Sequence, residues 1–159
     1  MIAVAIVGVL SMVAIPKYLV YQLKSKSAEA KTNLSGIRTA QEAYYSEFGL
    51  FREAAPEPAT IPGNTPTTFD SMGSDFRHLG WQPEGNVYFS HGCGINDDGS
   101  AYTADAGADI DANGVVQFWG YAKPESDGTI VGAQVGCDTE SIIANDVVPC
   151  TPAAGQSVF

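Results

Sequence analysis

The sequence predicts an α+β fold in which one long amino-terminal helix packs by its second half on a small antiparallel sheet. Three observations carry the expectation. Residues 1–15 hold no charge and one polar side chain, Ser11, and they run through Pro16 into a polar helical pattern with no intervening loop. Residues 49–84 are rich in proline, glycine, serine and threonine, the composition of a long connection. From Asn86 onward, short β-type runs alternate with turn clusters, as in a small sheet.

The helix is expected from Met1 to about Ser46. Leu23, Ala30, Leu34, Ile37, Tyr44 and Phe48 recur at steps of three, four or seven, with Lys24, Lys31, Arg38 and Glu42 largely between them, the pattern of a helix with one apolar face. Gly8 and Pro16 are its weak points, because glycine costs about 1 kcal/mol inside a helix and proline about 3. Pro16 also removes the bond to the Met12 carbonyl, so a bend or local unwinding is expected between them. Gly49 is a candidate left-handed cap.

The apolar start admits three readings: a spanning helix needs about 20 apolar residues, a cleaved signal roughly 7 to 15, and a core helix needs a domain wrapped around it. No basic residue precedes the run and no small-x-small site follows near Pro16–Tyr18, which argues against a cleaved signal. Lys17, Lys24, Lys26 and Lys31 follow the run, and on their own would hold that side in the cytoplasm. A basic leader upstream of Met1 in the precursor is the expected resolution.

Within the connection, one helical turn is expected near Phe69–Met72. The expected strands are Val87–Ser90, Ala101–Thr103, Val115–Ala122 and Thr129–Val135, with Val115, Phe118, Trp119 and Tyr121 covering the helix. The organisation is therefore residues 1–48 as helix (1–23 anchor, 24–48 amphipathic), 49–84 as connection, 85–136 as sheet, and 137–159 as a terminal loop and tail.

Net charge is −10, unevenly divided: residues 1–48 carry +2 and residues 49–159 carry −12. The acidic part repels nucleic acid. Cys93, Cys137 and Cys150 form no CxxC pair, so zinc-ribbon and thioredoxin-like chemistry have no support. A disulfide between Cys137 and Cys150 closes a short loop and stabilises by about 3 kcal/mol in the chain-entropy account, which points to an oxidising compartment. Cys93 is then the odd thiol. The other pairings, and a fully reduced cytosolic chain, are the alternatives.

The string Met1–Tyr18 resembles the amino-terminal segment of type IV pilins and of the related pseudopilins of type II secretion. The likeness continues more loosely through Ala28–Leu34 and Thr39–Tyr45 and then becomes architectural. It implies a major pilin, a structural subunit of a bacterial fibre serving adhesion, surface motility or DNA uptake; the alternative is a pseudopilin or minor pilin. The implied partners are identical subunits and an inner-membrane assembly machinery, with the membrane holding the subunit beforehand and an extracellular filament afterwards. The resemblance further implies that Met1 is preceded by a short block with an amino-methylated phenylalanine and a glutamate, to which no residue of this sequence corresponds. Small side chains at Ala3, Ala5, Gly8, Ser11 and Ala14, with Pro16 beyond them, would permit close helix approach in the filament core.

Other chemistries are weaker. Asp109-Ile-Asp111-Ala-Asn113-Gly114 matches the front of a calcium loop, with the Val115 carbonyl at the seventh position. Gly120 stands where the bidentate carboxylate belongs, so Asp97, Asp98 or Asp105 would have to complete the set. The plainer reading is an Asx-type turn entering the next strand, and otherwise no cofactor is expected. His78 and His91 are expected at the surface or in turns, with no serine, cysteine and acid in a catalytic order. Tyr18, Tyr21, Tyr44, Tyr45, Phe48 and Phe51 are expected to pack rather than to conduct electrons. Asp138, Glu140 and Asp146 mark a solvated terminal loop. A tethered enzyme is the competing class, and it lacks a complete set of nucleophile, base or metal ligands.

Overall fold

The computed structural model describes residues 2–150; the expected helix start at Met1 and the tail to Phe159 lie outside the described residues. Helix α1, Ile2–Phe48, is continuous. Beyond it come β1 (Ala54–Glu57), α2 (Phe76–Leu79), β2 (Ser90–Ile95), β3 (Tyr102–Ala108), β4 (Gln117–Lys123), a 3-10 turn at Thr139–Ser141 and β5 (Val148–Pro149). The five strands form one antiparallel sheet in chain order. The architecture is the expected α+β one, a long helix on a sheet.

The helix keeps its assignment through Gly8 and Pro16, so the expected unwinding is absent from the single chain. Proline deletes one bond and crowds the preceding turn, while the bonds on either side carry the rest of the ladder. Gly49 ends α1 as expected, with φ +73° and its N–H bonded to the Tyr45 carbonyl at 2.8 Å.

The second half of α1 buries Ser27, Ala30, Leu34, Ile37 and Gln41. These lie over β3 and β4, where Ala104 pairs with Tyr121 and Ala106 with Trp119. Methyl groups on β3 let the helix approach closely, and the large rings of β4 flank it. The core there joins Leu34, Ile37, Phe51, Tyr102, Trp119 and Tyr121. Phe118 instead faces the other side of the sheet, against the Cys137–Cys150 region, and Val115 is exposed. Alternation along β4 dictates this: residues 119 and 121 share one face, and 118 must take the other.

Buried polar bonds fix how the helix sits. Ser27 Oγ donates to Gln117 Oε1 at 2.8 Å. Gln41 exchanges bonds with the Arg52 backbone and donates from Nε2 to Cys93 Sγ.

The connection differs from expectation. The helical turn falls at Phe76–Leu79, not Phe69–Met72, because Asp70 Oδ1 accepts from the Met72 and Gly73 N–H groups and closes a tight turn there. The connection also contributes strand β1, placed at the sheet edge where Pro56 leaves no central ladder bond unmade. Phe69, Phe76 and Trp81 pack together beneath it, with ring centroids 5.3 to 5.7 Å apart. The sheet thus spans residues 54–149 rather than 85–136.

Residues 129–135, expected as a strand, form no ladder. They cross the back of the sheet as a strap held by side chains: Thr103 Oγ1 donates to the Val131 carbonyl, and the Asp105 carboxylate accepts from Gln134 and Val135.

Candidate assembly surface

Among the described residues, the apolar first part of α1 packs against no other element. It is long and apolar enough to cross a membrane, and none of the apolar span is buried. Ile2 is 79% and Met12 80% exposed, and Val4, Ile6, Val7, Val9, Leu10, Val13 and Ile15 are likewise exposed. An apolar cylinder of this size cannot remain in water, since exposed contiguous apolar patches mark interaction or membrane surfaces. Ala3, Ala5, Gly8 and Ala14 are exposed on it and Ser11 is half-buried. A Cβ built on Gly8 meets nothing within 4 Å, so the open side at Gly8 is free for a neighbour.

Three basic side chains of the second half, Lys26, Lys31 and Arg38, are engaged with the rest of the head. Lys26 Nζ donates to the Asn64 carbonyl at 3.0 Å and lies over the Tyr88 ring. Lys31 lies over Trp119 and Arg38 over Tyr121. Lys123 bonds Glu42 at 2.8 Å. Cations over aromatic faces are modest attractions, and here they line the helix–sheet seam. Glu29 accepts from the Tyr88 N–H at 2.8 Å, and burial, the larger influence, raises its carboxyl above the usual range.

Cys137 and Cys150 are joined, with Cα atoms 5.3 Å apart. Cys93 is a free, buried thiol whose ionisation burial pushes strongly up. It faces the helix through Gln41, whereas the disulfide lies on the opposite face of the sheet over Gly120. Exchange between them would require the sheet to open.

At the calcium-like turn, Asp109 accepts from the Asn113 and Gly114 N–H groups, and Asp111 from the Asn113 backbone and side-chain N–H. Asn113 Oδ1 accepts from the Val115 N–H at 2.7 Å. The side-chain oxygens fold inward as Asx-type acceptors. Asp98 is likewise occupied by Ser100, and Asp105 by four backbone donors of residues 134–137. Among the described residues, no three of His, Cys, Asp and Glu are grouped to hold a metal ion.

His78 is exposed on α2, as expected, but His91 is fully buried on β2. Its Nε2 lies 3.3 Å from Asn33 Nδ2, and its ring packs near Trp81. Burial lowers its pKa to about 3, so the ring is neutral. Flanking Ser90 and Gly92 gave it a turn-like context, and only the pairing of β2 with β3 places it inside.

The aromatic rings divide between packing and exposure. Tyr44 meets Phe48 and Tyr45 meets Phe51, with centroids 4.4 and 4.6 Å apart, and Phe51 continues to Tyr102. Tyr18 and Tyr21 are exposed beyond the sheet's reach. Ser27, Gln41, Asp105 and Gly120 are the positions that sequence reading missed as organisers. A polar residue on the apolar stripe was the available signal for the first two.

No protein-family profile matches the chain, and no solved structure matches it. The chain is 44% identical over 62 residues to the type IV major pilin protein PilA of Myxococcus xanthus (strain DK1622), a stretch covering 39% of this chain and 28% of that relative.

Proposed function

We propose, from the premise that this chain is a member of the type IV pilin family, that it is the major structural subunit of a type IV pilus filament. It performs no catalysis in this reading. The observation that carries the reading is one uninterrupted helix whose apolar span has no buried residue and whose second half packs on a sheet. The membrane holds the first half before assembly, with the head outside the cytoplasm where its disulfide persists. On extraction by an inner-membrane machinery, identical helices packed side by side supply the replacement apolar environment.

Burial at about 25 cal/mol per Å² gives each helix roughly tens of kcal/mol of gross transfer energy, before ordering costs. Ala3, Ala5, Gly8, Ser11 and Ala14 permit close approach, and the stretch from Gly8 to Pro16 is where unwinding on assembly costs least, one bond being already lost. No cofactor is required, and Asp109, Asp111, Asn113 and Val115 serve as a turn.

Shearing cells that make the chain and imaging the released fibres tests the reading. This polypeptide should be the dominant component, with residues 2–15 at the centre of the shaft. Traces confined to the envelope would favour a pseudopilin or minor pilin. A shaft with that segment on its outside would defeat the proposal.

A further inference from the structure

A row of paired residues crosses the back of the sheet: Gly92 on β2 opposite Asp105 on β3, and Asp105 opposite Gly120 on β4. Residues 134–137 lie in the channel that the two glycines leave. A Cβ on Gly92 would meet Gln134 Cβ at 2.8 Å, and one on Gly120 would meet Cys137 Sγ at 2.6 Å and Cys150 Sγ at 2.7 Å. The row ends at Val148 on β5; of Gly92, Asp105 and Gly120, Asp105 alone carries a side chain, and its carboxylate rises from the row. Its Oδ1 accepts from the Gln134 N–H at 3.1 Å, and its Oδ2 from Val135, Gly136 and Cys137 at 2.8, 2.9 and 3.2 Å. Gly136, at φ +138°, provides a backbone setting that side chains rarely adopt. Successive N–H groups thereby converge on one anion.

We propose that Asp105 is the positioning residue for the Cys137–Cys150 disulfide: by gathering the N–H groups of residues 134–137 it delivers Cys137 to Cys150 above Gly120, so that closure of the strap and formation of the disulfide are one coupled event. The last of the four donors is Cys137's own N–H, so the bond fixes the backbone from which the sulfur projects. Cys150 is brought to the same place from the other side, by its N–H bond to the Phe118 carbonyl at 3.0 Å on β4. Burial raises the Asp105 carboxyl above its usual range despite these bonds, so the group is retained against a desolvation cost. Coupling is reciprocal: whatever Asp105 contributes to the disulfide, the disulfide contributes to the strap. The inference is independent of the filament reading.

The test equilibrates the full chain, in detergent, with reduced and oxidised glutathione. Each oxidation transfers two electrons from the two thiols to glutathione disulfide, which leaves as two glutathione thiols carrying the two protons. In Asp105→Asn, an amide NH2 replaces one accepting oxygen. The equilibrium constant for disulfide formation should fall at least tenfold, about 30 mV for a two-electron couple. Leu34→Ala, destabilised on the other face of the sheet but kept under folding conditions, should leave it within twofold of the parent. Equal constants for Asp105→Asn and the parent overturn the proposal. Should Asp105→Asn not fold, the unsubstituted chain decides. On reduction, the amides of Val135, Gly136 and Cys137 should exchange at least tenfold faster while the β3–β4 amides hold. Unchanged protection of those three amides overturns the coupling.

Discussion

His91 shows how a single buried ring ties stability to pH. With Nε2 facing the Asn33 amide, the neutral ring carries its proton on Nδ1, which is buried toward the Phe89 backbone. Folding holds the pKa at about 3, whereas the unfolded chain takes up the proton near pH 6.5. A depressed folded value means that the stability is complete above pH 6.5 and is lost as pH falls toward 3, at up to about 1.4 kcal/mol per unit. Asp105 and Glu29, whose carboxyls are raised, act in the opposite sense nearer the carboxylate range, so the comparison has to be with a variant lacking only the imidazole. Between pH 7 and pH 5 the parent should lose about 2 kcal/mol more unfolding free energy in urea than His91→Gln. Parallel losses would show that the ring is already protonated inside.

The second half of α1 is where pattern and packing agree, and Leu34 measures the agreement. It is fully buried between the helix and the alanine face of β3, so Leu34→Ala should cost about 2 to 5 kcal/mol, read as a lowered urea midpoint with unchanged slope. A cost below 1 kcal/mol would mean that the helix lifts and refills the gap. This helix was legible because its contacts repeat at three and four residues. Strands β2 and β3 were only partly legible, because Gly92, Gly94, Ala104, Ala106 and Gly107 have little strand preference of their own. Their smallness is set by the layers above and below: alanines where the helix approaches, glycines where the strap crosses. Thr129–Val135 carries the β-type residues but joins no ladder, because Thr103 and Asp105 draw its backbone across the back of the sheet instead of along an edge. The disulfide was legible from spacing, while the carboxylate beside it was not, because four donors to Asp105 come from residues about thirty positions away.

At the scale of the whole molecule, the chain is two physical systems joined by one rod. The apolar span contributes no buried surface to the head, and the helix–sheet core is drawn from residues beyond it, from Leu23 onward. Stability of the head and affinity for lipid or for other copies should therefore be separable. Deleting residues 1–22, which spares Leu23, should leave a monomer soluble without detergent, whose thermal midpoint matches that of the full chain's head in micelles and which retains the Cys137–Cys150 crosslink. The same deletion should abolish partition into lipid vesicles and assembly into fibres, because the surface that meets hydrocarbon is the surface removed. Circular dichroism melts and vesicle co-sedimentation on the two chains check both halves of the expectation. A lowered midpoint would reveal that the anchor supports the head by contacts that a single chain does not make. Residual fibre formation would move the assembly surface onto the head, where net charge from residue 49 onward is −12, and would predict polymers that tighten with salt as that charge is screened.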